Sequence, residues 1–245
     1  MRSGRPVLLE VRTLTKTFGG IVALDGVSFD LQAGTVLGVI GPNGSGKTTL
    51  LNTLNGVHAP DHGTVRLDGQ PAAGLPPHRL AALGVMRTFQ NTRVFRTLTV
   101  LQNMLVPLLH RPVDPGAARA RALDLLAAVR LDRYADLPAS QLSGGQQRLL
   151  EFARALMTAP RLVLMDEPFA GVHPEVTQVM TSRIDALRRE GVAFIVVSHE
   201  IPMLMALSQR IVCLHQGRII ADGTPESVRN DRAVIEAYLG HATRT

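Results

Sequence analysis

Thr35-Val36-Leu37-Gly38-Val39-Ile40-Gly41-Pro42-Asn43-Gly44-Ser45-Gly46-Lys47-Thr48-Thr49 decides the fold. A β-branched apolar run enters a glycine-rich loop, and Leu50, Leu51 and Leu54 then follow at helical spacing. This is G-x-x-x-x-G-K-[ST] in the strand, loop and helix setting that the motif requires. Gly41, Gly44 and Gly46 let backbone N–H groups close around phosphate oxygens, and the new helix adds its positive end. Lys47 supplies a compact charge to the β- and γ-phosphates, and Thr48 offers a hydroxyl to Mg²⁺. Pro42, Asn43, Ser45 and Thr49 complete the candidate nucleotide loop.

Composition strengthens this assignment. Of 26 Lys and Arg residues only Lys16 and Lys47 are lysines, so an arginine-biased chain has placed one of its two ammonium groups at this site. The planar guanidinium fork does not substitute there. Ras-type GTPases carry Asn-Lys-x-Asp, and neither lysine here follows an asparagine, which favours ATP.

Downstream, Leu162-Val163-Leu164-Met165 is a buried-strand run ending in Asp166-Glu167-Pro168. Such a strand delivers its terminal carboxylates to the carboxyl edge of a parallel sheet, where ligands bind. Asp166 is suited to holding Mg²⁺, and Glu167 to orienting and deprotonating a water for in-line attack.

The rest of the chain reads coherently around these two motifs. Residues 7–14, 27–31 and 35–40 are strand-like, separated by Gly19-Gly20, Asp25-Gly26 and Ala33-Gly34, and 65–67 ends in an Asp68-Gly69 turn. Residues 92–158 change to helical character, and 117–129 places Leu123, Leu126 and Ala127 on one stripe. Strand and helix then alternate, with a helix over 174–189 carrying Val176, Val179, Met180, Ile184 and Leu187 inward and a strand over 193–197. That rhythm implies a parallel sheet. Residues 211–214 and 218–221 form a hairpin through Gln216-Gly217. Thr224-Pro225 opens a helix, and a last helix over 231–239 closes at Gly240.

Leu142-Ser143-Gly144-Gly145-Gln146-Gln147-Arg148 precedes a helix with Leu149, Phe152, Ala153 and Leu156 on its apolar face. Ser143 caps it, and the glycines let a phosphate approach its first N–H groups. A second anion site in one chain is redundant unless it serves another molecule's nucleotide. From about residue 8 to 240 the chain resembles the ATP-binding-cassette (ABC) family, whose LSGGQ signature lies between a P-loop and a D-E-P strand end. The resemblance implies an α/β fold: a RecA-like P-loop core (1–91 and 159–245), an N-terminal antiparallel β part and an inserted helical subdomain (92–158). It further implies head-to-tail pairing, each ATP lying between one P-loop and Leu142, Ser143, Gly144, Gly145 and Gln146 of a second ATPase subunit, identical or a paralogue. By motif, Phe18 corresponds to the aromatic that stacks on adenine, Gln90 to the glutamine that meets Mg²⁺ and the attacking water, and His199 to the switch histidine at the γ-phosphate. His173 stands where many cassettes have the D-loop aspartate, and Glu200 where Asp is usual, which bears on coupling between the two sites.

Within that family, Phe18-Gly19-Gly20, Leu75-Pro76-Pro77-His78-Arg79, the stretch from Arg87 to Asn91 followed by Phe95, and Val234-Ile235-Glu236-Ala237-Tyr238-Leu239-Gly240 resemble the ATPase of branched-chain amino-acid importers. The stretch from Asp166 to Val172 also resembles the cassette of the lipopolysaccharide exporter. The implied partners are transmembrane permease subunits and, indirectly, a substrate-binding protein, at the cytoplasmic face of the inner membrane.

Composition excludes several other classes. No apolar run nears the ~18 residues of a membrane span, and residues 7–9 are too short for a signal-peptide core. The single cysteine, Cys213, forbids an internal disulfide and sits in an apolar run as core filler. The net charge of +6 invites nucleic acid, but with no Trp, two Tyr and seven Phe a stacking platform is lacking, so solvated arginines near a membrane are the better account. Soluble cassettes of repair or translation need a second cassette or a coiled-coil insertion, for which 245 residues leave no room.

Overall fold

A computed structural model describes residues 6–88 and 92–242. In chain order these form β1 (Val7–Phe18), β2 (Ile21–Gln32), β3 (Val36–Ile40), α1 (Lys47–Leu54), β4 (His62–Leu67), β5 (Gln70–Pro71), α2 (Pro77–Ala82), β6 (Val85–Thr88), α3 (Val100–Leu105), α4 (Pro115–Ala128) and α5 (Gly144–Leu156). There follow β7 (Leu162–Asp166), α6 (Pro174–Arg189), β8 (Ala193–Val197), α7 (Ile201–Leu207), β9 (Arg210–His215), β10 (Arg218–Gly223), α8 (Pro225–Arg229) and α9 (Arg232–Ala242).

The strands build two sheets. An antiparallel sheet has the order β2-β1-β4-β5, and a six-stranded sheet has the order β10-β9-β3-β8-β7-β6. In the larger sheet β3 pairs parallel with both β8 and β9, β7 pairs parallel with β6 and β8, and only the β9-β10 pairing is antiparallel. Every residue of β3, β7 and β8 is buried. These strands read as continuous apolar runs because both faces of the sheet are covered.

The side-chain alternation of strands sorts the two faces. Val36, Ile40, Val163, Met165, Phe194, Val196, Ile211 and Cys213 join the core shared with α3 to α7. Leu37, Val39, Leu162, Leu164, Ala193, Ile195, Val197, Val212 and Leu214 join the core shared with the smaller sheet, α1 and α2. Cys213 is fully buried, and desolvation pushes its thiol up to about 11, consistent with an inert filler.

Several local expectations are corrected. Asp25-Gly26 does not separate strands. β2 runs through it, with Gly26 in the left-handed region and the β1 pairing slipping register opposite. On α4 the buried stripe is Ala118, Ala122, Leu125 and Leu126, whereas Ala127 is exposed. On α6 Val176 and Val179 pack against the core half-buried, and Thr177, which the stripe did not include, joins Met180, Ile184 and Leu187 as a buried position. Gly240 does not end the chain's last helix, because α9 continues through it to Ala242. Helices α3, α4 and α5 fall between residues 92 and 158 and share one continuous core with the sheet.

A polar node organises the entry to these helices. Asn103, fully buried among the apolar side chains of α3, accepts from Phe95 N–H at 2.8 Å and donates to the carbonyls of Phe95, Leu98 and Thr99 at 2.9, 3.3 and 3.0 Å. Thr99 and Gln102 form a capping box on the same helix. Asn103→Leu strands these buried backbone groups and is expected to lower stability by about 1–3 kcal/mol, read as a shifted urea midpoint with unchanged slope.

Candidate functional site

Because β3, β7 and β8 are parallel, their carboxyl ends emerge on one edge. The register places Val39 and Asp166 on either side of Val197. That edge therefore gathers the loop after β3, the acidic end of β7 and the Ser198-His199 end of β8.

The loop from Gly41 to Gly46 is shaped by glycine at two tight positions. A Cβ on Gly41 (φ 146°) would lie 2.1 Å from Leu214 O, and one on Gly46 (φ 107°) 2.4 Å from Ala23 O. No larger residue fits either place. Gly46 is the N-cap of α1, so the first amides of that helix open toward the loop. Ser45 is buried, and among the described residues its Oγ has no hydrogen-bond partner. Thr48 is exposed, and Pro42 is buried beside the exposed Asn43 and Gly44.

Lys47 Nζ donates to Gly41 O at 2.7 Å and Pro42 O at 2.9 Å. Burial lowers its pKa, opposed by the nearby charges of Glu167 and Asp166. The lysine and both carboxylates thus share one electrostatic environment.

Asp166 is held by Arg87, whose Nη2 lies 3.1 Å from Asp166 Oδ2, and both side chains are only 7% exposed. Arg87 also donates through Nη1 to Asn52 Oδ1 on α1. Burial holds the Asp166 carboxyl above its usual range and the Arg87 guanidinium below its own, each partly offset by the other. One arginine therefore ties β6, β7 and α1 together directly beneath the site.

Glu167 adopts a left-handed backbone (φ 49°), uncommon for a residue with a side chain. Three contacts hold it there. Glu167 N–H donates to Val197 O at 2.9 Å, Arg148 Nη1 on α5 donates to Glu167 O at 3.1 Å, and His199 N–H donates to Glu167 Oε2 at 3.2 Å. His199 Nδ1 lies 2.8 Å from the same oxygen; the imidazole is 69% exposed and the carboxylate 12%. Candidate base and candidate switch histidine form a directly bonded pair with the histidine on the solvent side.

Phe18 is 41% exposed, at the end of β1. Its ring meets His58 edge-on at 5.0 Å, and Lys16 Nζ lies 5.3 Å from its centroid while pairing with Asp61 at 2.8 Å. The second lysine of the chain therefore lies beside the candidate aromatic, within cation–π range of its ring. Its rarity was a usable signal that sequence reading applied only to Lys47. Gln90 lies outside the described residues.

The signature forms a separate feature. Leu142 is buried, Ser143 and Gly144 are exposed, and Ser143 with Gln146 closes a capping box at the start of α5. Gly145 packs on Val176 of α6, where a Cβ would meet it at 3.1 Å. Among the described residues no hydrogen bond or ion pair links Ser143, Gly144 or Gly145 to the P-loop. His173 caps α6, its Nδ1 accepting weakly from Glu175 N–H at 3.4 Å, a role Asp or Asn ordinarily fills.

A family model described as "ABC transporter" matches residues 24–170. The chain belongs to the ABC transporter family. Members of this family hydrolyse ATP to power transport, and the cassette is an ATP-binding ABC ATPase. A further model, "Branched-chain amino acid ATP-binding cassette transporter", matches residues 218–243 of the cassette. The cassette is 42% identical to the high-affinity branched-chain amino acid transport ATP-binding protein BraF of Pseudomonas aeruginosa, covering 97% of this chain and 99% of that protein. It is 38% identical to the corresponding LivG protein of Escherichia coli, covering 96% and 98% respectively. Among solved structures, the ADP conformation of MJ1267, an ATP-binding cassette of an ABC transporter, superposes with a TM-score of 0.88 at 32% identity over 96% of this chain and 99% of that one. The dimeric post-hydrolysis state of the cassette MJ0796 bound to ADP and Pi superposes at 0.79 with 28% identity, over 89% and 99%. No helix among the described residues is long and apolar enough to cross a membrane.

Proposed function

We propose that this ABC ATPase energises import of branched-chain or other hydrophobic amino acids through a separate permease, docked peripherally at the cytoplasmic face of the inner membrane. The observation that carries the reading is the segment at residues 218–243, which matches a model specific to branched-chain cassettes. BraF and LivG, similar along nearly their whole length, support it. A substrate-binding protein on the far side of the permease would select the amino acid.

Within the cassette, we take residues 1–91 and 159–245 as the nucleotide core and 92–158 as the helical arm that meets the permease. Two cassettes close head to tail, so that the exposed Ser143 and Gly144 of one approach the nucleotide on the P-loop of the other. The dimeric form of MJ0796 is consistent with such pairing. As ATP arrives, Lys47 exchanges the carbonyls of Gly41 and Pro42 for phosphate oxygens, while the amides at the start of α1 take the remainder. Phe18 stacks on the adenine.

Thr48 and Asp166 supply hard oxygen donors at this edge, the donor set Mg²⁺ takes, and Gln90 is proposed to join them. Mg²⁺ bound there would neutralise charge on the β- and γ-phosphates. Glu167 orients and deprotonates the attacking water. His199, bonded to the Glu167 carboxylate, fixes its direction and moves to the γ-phosphate on closure. Arg148 links the base to the helix that begins with the signature, so cassette closure and the Glu167 backbone are mechanically connected.

The test is reconstitution in proteoliposomes with whatever permease and binding protein the neighbouring genes encode. ATP-dependent leucine or valine uptake that is lost in Lys47→Ala is expected. A neighbouring operon for lipopolysaccharide export, with no amino-acid uptake, would overturn the reading.

A further inference from the structure

The C-terminal part of the cassette reaches back to the nucleotide loop at two points, one just before residues 218–243 and one within them. At one, Gly217 N–H in the β9-β10 turn donates to Ser45 O at 3.0 Å. At the other, Tyr238 on α9 places its hydroxyl 2.8 Å from the Gly41 nitrogen and accepts that amide's hydrogen bond. The residue so held is one of the two loop positions that only glycine fits, and its carbonyl receives Lys47 Nζ at 2.7 Å. A continuous path therefore runs from the Tyr238 hydroxyl through Gly41 to the ammonium that meets phosphate.

We infer that Tyr238 is a positioning residue for nucleotide binding: its hydroxyl holds Gly41, and α9 acts as a strap that presets the loop for the diphosphate of ATP or ADP. A glycine-rich loop retains much backbone freedom, and freedom removed before binding is not lost on binding. The Gly41 amide is occupied by the phenol, so the bond does not compete with the amides at the start of α1 that serve phosphate. Burial pushes the phenol up to about 12, keeping it a neutral acceptor across the physiological range. Sequence reading included Tyr238 only as part of a family-like ending and gave it no role.

The inference rests on the P-loop assignment, and the experiment separates the two. ADP binding to the full chain is measured by calorimetry for wild type, Tyr238→Phe and Lys47→Ala. Tyr238→Phe keeps the ring and removes the hydroxyl. It is expected to raise the ADP Kd about 3- to 10-fold, the range of one hydrogen bond, with the ATPase KM rising likewise and kcat within about twofold. Hydrogen exchange at the Gly41 amide should accelerate in the same variant. A purely structural role would lower Tm without moving Kd. Wild-type Kd in Tyr238→Phe alongside lost binding in Lys47→Ala would overturn the strap and leave the P-loop intact. Retained binding in Lys47→Ala would overturn both.

Discussion

Glu167→Gln is expected to lower kcat by about 10²- to 10⁴-fold, the usual contribution of a positioned general base, while leaving ATP affinity near wild type. The substitution is almost isosteric and keeps the acceptor for His199 N–H, so the left-handed turn at residue 167 survives. What disappears is the negative charge that draws a proton from water. Closed dimers should therefore accumulate with ATP, visible by size-exclusion chromatography. Wild-type turnover in this variant would remove Glu167 as the base. His199→Ala offers a control from the other side of the 2.8 Å pair: it removes the imidazole that orients the carboxylate but leaves the charge.

The largest expected effect on stability is at Arg87. Removing one partner of a buried ion pair leaves the other charged and desolvated, at a cost of about 3–5 kcal/mol. For a chain of this size that lowers Tm by roughly 10 °C. Arg87→Met should show this loss because Asp166 would keep a buried carboxylate without its guanidinium, and Asn52 would lose its donor. The sign with pH follows. Burial already raises the folded-state pKa of Asp166, and loss of Arg87 raises it further. The folded variant then binds a proton more readily than the unfolded chain does, so its deficit relative to wild type shrinks as pH falls through that raised pKa. Arg87→Met combined with Asp166→Asn should recover part of the stability at neutral pH without recovering ATPase activity. Equal denaturation midpoints for wild type and Arg87→Met would show that the pair does not hold this edge.

The contrast between these residues shows what a sequence makes legible. Lys47, Asp166, Glu167 and Ser143 lie in short contiguous motifs whose local geometry, a strand running into a turn or a turn into a helix, follows from their neighbours. The convergence of Lys47, Asp166 and Glu167 follows from parallel strands sharing one edge, whereas Ser143 stands apart at the start of α5. Arg87 and Tyr238 act across long separations, 79 residues to Asp166 and 197 to Gly41. Nothing local distinguishes an arginine in β6 or a tyrosine near the chain's end from a solvated one. Asn103 carried a weak signal, a polar residue on an apolar helical stripe. The misread Asp25-Gly26 has a related cause. A left-handed glycine serves a bulge as readily as a turn, and only the partner strand decides which.

The placement of β3 has a consequence for biosynthesis. Both strands that flank it, β8 and β9, lie in residues 193–215, whereas β3 itself ends at Ile40. While a ribosome makes the intervening stretch, the apolar strand that feeds the nucleotide loop has neither of its sheet neighbours. Pairings this distant form slowly and leave an open edge exposed to aggregation. Nascent cassettes therefore carry the phosphate-binding sequence long before they carry its scaffold, and synthesis of β8 and β9, rather than of the motif itself, sets when the nucleotide loop first has its sheet neighbours.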